Sequence, residues 1–228
     1  MSVGRTPTSR RQLLALTVLF SLLANAVALG AAAPGPIDPA GALRVSQAAI
    51  GRQLGGYSLI DQFGRPLSLA RLRGHPYMIS FIYTSCAFAC PTLTTRLHAV
   101  AKVARAALGN DSFSIVTVGF DTRVDTPERM RRFAQERGIE MPGWYFAAAD
   151  SATVDRLAAD TGFVYAPVAG GYDHFAQVTI VDGNGRRLRA RLRWHGGQQS
   201  GEHGGRESEQ QCLSDGHDRA PLVSFLPT

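Results

Sequence analysis

Residues 84–91 of this chain read TSCAFACP, which sets Cys86 and Cys90 four positions apart between an unbroken apolar run and a helical pattern. A strand that hands a cysteine pair to the mouth of a helix suits thiol or metal chemistry, because the free N–H groups and dipole of a helix entrance favour a thiolate. On this ground Cys90, at the entrance itself, is the sulfur expected to be activated. The pair can serve as a redox dithiol, a structural disulfide or two ligands of a metal site. Cys212 is the one further cysteine, so a multi-bridge disulfide scaffold is excluded. If the loop curls into the first helical turn, both sulfurs converge on one side of an ion and leave another side open. Soft thiolates select Cu(I), or zinc where four ligands close the shell. A second cysteine pair is missing from the folded region, which disfavours a four-sulfur zinc site.

The elements that must hold this pair can be read around it. Residues 55–69 read as a β-hairpin turning at Asp61–Gly64, and residues 77–83 (YMISFIY) as a strand buried on both faces. Pro91 suits a first helical turn, and Leu93, Leu97, Val100, Ala101, Ala104 and Leu108 repeat at helical spacing up to Gly109. Residues 113–120 (FSIVTVGF) read as a second buried strand, and Thr126-Pro127-Glu128 as a capped helix start. Ser151 is the expected cap of a shorter helix ending at Gly162, and residues 175–181 (FAQVTIV) form a third strong strand that turns at 182–185 into a last one near 187–192. Hairpin, β, α, β, α, α and a closing hairpin predict an α/β, thioredoxin-like fold with an N-terminal hairpin extension: a parallel βαβ unit with an antiparallel edge. The helix that usually closes such a sheet is missing or altered in the sequence after the last strand.

In that fold the loop entering the third strand lies beside the cysteine loop. Residues 170–174 (GGYDH) occupy it, so His174 is placed to complete a Cys86–Cys90–His174 site. Imidazole also suits Cu(II), and with an added ligand the trio accepts either oxidation state.

Length and composition bound the rest. At 228 residues and 45% hydrophobic content the chain suits one domain with appendages. Its net charge of +6 is scattered, with Arg5, Arg10 and Arg11 concentrated in the leader. Aromatic side chains do not interleave with the basic ones, so nucleic-acid binding is not expected. Those arginines precede the uncharged residues 13–33, the pattern of an export signal or, if uncleaved, a membrane anchor. Ser9-Arg10-Arg11 resembles a twin-arginine motif. Export would set the cysteines in an oxidising compartment. The expected domains are a leader (1–33), a linker (34–54), the thioredoxin-like domain (55–194) and a disordered tail (195–228). His195, His203 and His217 lie in that tail and read as solvated, as Cys212 reads as a stray thiol.

Three segments together resemble the SCO/SenC family of copper chaperones. TSCAFACP matches the family's Cys-x-x-x-Cys-Pro motif, residues 119–128 (GFDTRVDTPE) its Asp-x-x-x-Asp-Thr-Pro-Glu segment, and residues 171–185 (GYDHFAQVTIVDGNG) the stretch bearing its ligand histidine. The resemblance implies copper held by Cys86, Cys90 and His174. It further implies an exported, often membrane-tethered protein that helps assemble the binuclear copper centre of cytochrome c oxidase, by delivering copper or reducing the recipient's cysteines. The recipient is then an oxidase subunit or another exported copper protein. Many members carry Pro and Asp in the loop, where this chain has Ala87, Phe88 and Ala89.

The alternative activity is thiol–disulfide exchange by Cys86 and Cys90 with a partner protein, with peroxide reduction a more distant one. Asp121 and Asp125 read as a cation or partner site, or as loop and helix caps. Tyr172 and Asp173 are candidates to orient His174. His75, before Pro76, and His98, beside the helix stripe, read as ordinary.

Overall fold

The computed structural model describes residues 37–194. In chain order they form helix α1 (Pro39–Ala48), strands β1 (Ser58–Ile60) and β2 (Pro66–Ser68), strand β3 (Tyr77–Ile82), helix α2 (Ala89–Leu108), strand β4 (Ser114–Gly119), helix α3 (Pro127–Gln135), strand β5 (Trp144–Ala147), helix α4 (Ser151–Thr161), and strands β6 (Tyr165–Val168), β7 (Gly171–Val181) and β8 (Arg187–Trp194). The two most apolar runs become adjacent central strands, because only the sheet centre buries both faces. β3 pairs in parallel with β4 through the α2 crossover, and antiparallel with β7. β5 extends the β4 edge in parallel, while β8 runs antiparallel to β7. β6 pairs with the first four residues of β7, with Tyr165 opposite His174. This is the thioredoxin-like plan, and the hairpin β1–β2 precedes it as expected.

Alternation along the strands sorts the core into two layers. One face carries Ile79, Phe81, Val116 and Val118 against Leu157 and Phe163. The other carries Ile82, Ile115, Trp144 and Phe146 against Leu97 of α2, with Met130 and Phe133 of α3. Cys86 and Cys90 belong to this second layer. Along β7, His174 shares a face with Val178, which packs against the same layer. The period of two thus brings histidine and cysteines to one side of the sheet.

Four sequence expectations need correction or extension. The supposed linker, residues 34–54, contains α1, capped by the Asp38 side chain accepting from Ala40 and Gly41 N–H. Its inner face is Ala42, Ser46 and Ala49, residues too small to give a hydrophobic period. It docks through a buried cation: the Arg187 guanidinium donates to the Ser46 carbonyl and, at 2.7 Å, to Ser46 Oγ. The α4 cap is Asp150, whose side chain accepts from Thr153 N–H, and Ser151 is the first helical residue. β5 and β6 are additions to the expected element order; each has four residues, and β6 contains Pro167. Finally, β7 begins at Gly171 rather than Phe175, so His174 lies within a strand instead of a loop. Pairing with β6 holds those extra residues extended despite two adjacent glycines.

Among the described residues no helix is long and apolar enough to cross a membrane. The leader, the tail with His195, His203, Cys212 and His217, and any closing helix lie outside the described residues.

Candidate metal centre

The cysteine loop is built by a turn and a helix start. β3 ends at Ile82, and Cys86 N–H donates back to the Tyr83 carbonyl at 3.0 Å, closing the turn. Helix α2 then begins after Phe88, whose side chain makes no cap. The Cys86 sulfur stands in for the missing capping oxygen, accepting from Cys90 N–H at 3.4 Å. Within α2, Thr94 Oγ1 donates to the Cys90 carbonyl at 2.8 Å.

His174 meets the pair from β7. Its Nε2 lies 3.9 Å from Cys90 Sγ, and its Nδ1 lies 3.3 Å from the Phe175 carbonyl. With the proton on Nδ1 donated to that carbonyl, Nε2 turns its lone pair to the sulfurs. The ligand atoms of Cys86, Cys90 and His174 all lie within 4.8 Å of one another. All three residues are buried, Cys90 to 1% exposure. Aromatic rings wall the histidine: Tyr83 and Phe120 stand edge-on at 5.6 and 5.4 Å, and Phe163 lies at 6.4 Å.

The electrostatics reverse one expectation. Cys86, not Cys90, carries the low-pKa thiol. A hydrogen bond from the Cys90 side chain, with lesser help from backbone N–H groups, holds Cys86 well below the ordinary thiol range against the cost of burial. Cys90 is pushed well above that range by the same sulfur–sulfur hydrogen bond and by burial. The helix entrance adds to this through the Cys90 N–H, which points at the sulfur outside the helix.

The acidic segment braces the loop instead of adding ligands. Asp125 is 2% exposed. It accepts from Thr84 N–H at 2.8 Å, Thr84 Oγ1 at 2.7 Å and Asp121 N–H at 2.9 Å. Burial pushes its carboxyl up while those three bonds pull it down. Arg129 Nε donates to Thr84 Oγ1 at 3.3 Å from the other side. Asp121 contributes only its backbone to this brace. Thr84 and Arg129 escaped the sequence reading; the signal available was Thr84's position two residues before Cys86.

The other sequence candidates separate from the site. Asp173 does not orient the histidine: its Oδ2 accepts from Ile37 N–H at 2.8 Å and so fixes the approach to α1. Tyr172 packs edge-on against Tyr83 at 5.4 Å, one ring removed from His174. His98 lies edge-on to Trp144 at 5.9 Å, and exposed His75 precedes β3. A groove of about 500 Å³ lined by Phe63, Arg65, Arg131 and Tyr145 shares no residue with the cysteine–histidine group.

Comparison with known proteins gives a consistent picture. The family model described as SCO1/SenC matches residues 46–193. The SCO1 protein homolog of Bacillus subtilis (strain 168) is 27% identical over 90 residues, covering 40% of this chain and 46% of that protein. The chain thus spans less than half the length of the curated relatives it matches. Among solved structures, Bradyrhizobium japonicum ScoI with copper bound is 26% identical with a TM-score of 0.51, covering 62% of this chain and 88% of that one. BsSco, a member of the Sco family of cytochrome c oxidase assembly proteins with a disulfide switch, shares the fold at a TM-score of 0.56 and 21% identity, covering 62% of this chain and 84% of that one.

Proposed function

Because the chain belongs to the SCO1/SenC family, we propose that it is an exported copper chaperone that holds Cu(I) on Cys86, Cys90 and His174 and passes it to an apoprotein in cytochrome c oxidase assembly. The observation that carries the reading is the convergence of two sulfurs and an imidazole nitrogen within 4.8 Å, all buried. The donor set fits: two thiolates suit soft Cu(I), and imidazole suits both copper oxidation states. Copper bound in the Bradyrhizobium relative supports the same cargo.

The chain's own groups define the loading step. Cys86 carries the more readily ionised thiol and Cys90 the less readily ionised one, so loading Cu(I) draws the proton from the Cys90 thiol, while His174 supplies Nε2. Three ligands leave the ion open to an incoming thiolate. Release then proceeds by ligand exchange, one recipient sulfur replacing one chaperone sulfur at a time, with no change in copper oxidation state. The basic, apolar leader supports export, with tethering at the outer face of the inner membrane if it is retained. The recipient is then the copper-receiving oxidase subunit or another exported copper protein.

A second reading has its own observation. The Cys86 and Cys90 sulfurs lie within 4.8 Å of each other, and the Cys90 N–H points at the Cys86 sulfur, whose pKa is lowered. Such a pair can reduce a partner disulfide: Cys86 attacks one sulfur and expels the other as thiolate. Cys90 then loses its proton, attacks Cys86 and releases the second partner sulfur, leaving a Cys86–Cys90 disulfide.

Competition titration of the reduced chain with a Cu(I) chelator separates the two. The chaperone reading expects one tight Cu(I), lost in Cys86→Ser/Cys90→Ser and weakened at least tenfold in His174→Ala. Wild-type binding no tighter than the double serine variant refutes it. Disulfide reduction by the copper-free chain that His174→Ala leaves unchanged favours the second.

A further inference from the structure

We propose that the metal end of the tethered chain faces the lipid surface, with Phe88 and Val168 resting in the headgroup layer. This rests on the retained-leader form of the reading above and adds an orientation to it.

The chain enters the described fold at the metal end. Ile37 N–H donates to Asp173 Oδ2 at 2.8 Å, and Asp173 is the residue before His174 on β7. From there α1 runs toward the opposite end, where Ser46 is held by Arg187, which stands opposite Val181 at the far end of β7. Only residues 34–36 (PGP) separate Ile37 from the uncharged stretch 13–33. Three residues reach about 10 Å at most, and the headgroup layer on one side of a bilayer is about 5–8 Å thick. A leader that fills the hydrocarbon core therefore holds Ile37 and Asp173 at the outer boundary of that layer. Turning the other end of the domain to the bilayer would take the linker past the whole of α1, about 15 Å for a helix of this length. Three residues do not reach that far.

The surface at the metal end suits that position. Residues 85–95 (SCAFACPTLTT) and 161–172 (TGFVYAPVAGGY) carry no charged side chain. The two segments meet at Gly171, where an added Cβ would lie 3.1 Å from the Tyr83 hydroxyl, and Tyr83 opens the cysteine turn. Phe88, between the two cysteines, is 59% exposed, and Val168, opposite Gly171 in the β6–β7 pairing, is 42% exposed. Ala87, Pro167 and Ala169 beside them are exposed as well. Aromatic and aliphatic groups gain by leaving water for the membrane interface, and an uncharged rim has no ion to desolvate there. The opposite end instead exposes Arg52 and Arg186. In this orientation a recipient meets the cysteine–histidine trio at the bilayer surface.

The test uses the full chain, leader included, in vesicles of phosphatidylethanolamine and phosphatidylglycerol. Some vesicles also contain phosphatidylcholine brominated close to the headgroup, which quenches tryptophan only at short range. Phe88→Trp and Val168→Trp place a reporter at the metal end, and Ile50→Trp, at a 52% exposed position just after α1, places one at the opposite end. The emission added by the first two is expected to be lost in the brominated vesicles, and that of Ile50→Trp to be retained. Retention in all three overturns the orientation and leaves the apolar rim to a protein partner. Loss in Ile50→Trp with retention in Phe88→Trp overturns it in favour of the basic end. A chain that does not float with the vesicles overturns tether and orientation together. Chelator competition on the wild-type vesicles reads the copper site separately: one tight Cu(I) keeps that reading standing whichever way the quenching falls.

Discussion

Replacing Asp125 with alanine leaves three donors without their acceptor: Thr84 N–H, Thr84 Oγ1 and Asp121 N–H. Orphaning a buried donor costs about 1–3 kcal/mol. Thr84 and Asp121 are only half-buried, so water recovers part of the loss, and about 3 kcal/mol in total is expected at the low end of that range. The functional cost comes by a different route. Thr84 is the residue through which Asp125 holds the cysteine loop in place, and fixing one residue's backbone costs about 1–2 kcal/mol. If residues 84–86 are released, copper binding must order them again, at about 3 kcal/mol. That corresponds to roughly a hundredfold loss of Cu(I) affinity. Asp125→Asn should be milder, because its carbonyl can still accept both Thr84 bonds while its amide faces Asp121 N–H donor to donor. One conflict of about 1–3 kcal/mol remains, with the loop still tied down. Urea denaturation of the copper-free protein reads the first quantity, and chelator competition reads the second. Asp125→Ala with wild-type stability and wild-type affinity refutes the brace. Equal affinity loss in the alanine and asparagine variants points instead to the carboxylate's charge.

Three further outcomes are expected. With Cys86 already ionised, its alkylation by iodoacetamide in the copper-free protein should stay nearly flat between about pH 6 and 8, where an ordinary thiol with pKa near 8.5 accelerates almost tenfold per unit. Cys90→Ala, which removes the thiol donor to that thiolate and leaves only the backbone N–H, should steepen the slope; peptide mapping after labelling checks both. At the α1 dock, Ser46→Ala takes one acceptor from the buried Arg187 guanidinium and should cost about 1.5–3 kcal/mol, whereas Ser46→Ala/Arg187→Met removes the buried cation as well and should recover most of it, both read by denaturation midpoint. Asp61 accepts from Phe63 N–H, Arg65 N–H and Arg65 Nε, and although its burial works the other way, these bonds hold its carboxyl below the ordinary value. A depressed carboxyl contributes stability that is present above about pH 4 and lost as pH falls through its folded pKa; Asp61→Asn should flatten that acid limb, and an unchanged limb contradicts the assignment.

The sheet centre was legible because β3, β4 and most of β7 are apolar runs that only a doubly covered strand can satisfy. The site trio was legible for a related reason, since chemistry-bearing residue types at strand ends are few. What escaped depended on pairing partners or on small residues. α1 buries Ala42, Ser46 and Ala49, which leave little hydrophobic signature, and its anchor is Arg187, a residue that reads as surface. β6 exists by pairing with β7, and this pairing moved His174 from an expected loop into a strand. The sulfur pair is more instructive. Helix position alone points to Cys90, but the Cys90 side chain and N–H both act on the Cys86 sulfur, which the turn from Tyr83 puts in front of them. Asp125 likewise read as a cap or ligand, because the sequence cannot show that Thr84 lies against it.

The most direct test of the central claim is X-ray absorption at the copper edge on the full chain loaded with one equivalent of Cu(I). Two sulfurs and one imidazole nitrogen are predicted in the first coordination shell, with the nitrogen lost in His174→Ala and both sulfurs lost in Cys86→Ser/Cys90→Ser. A shell that keeps its sulfurs in the double serine variant, or that contains no sulfur in the wild type, contradicts the account.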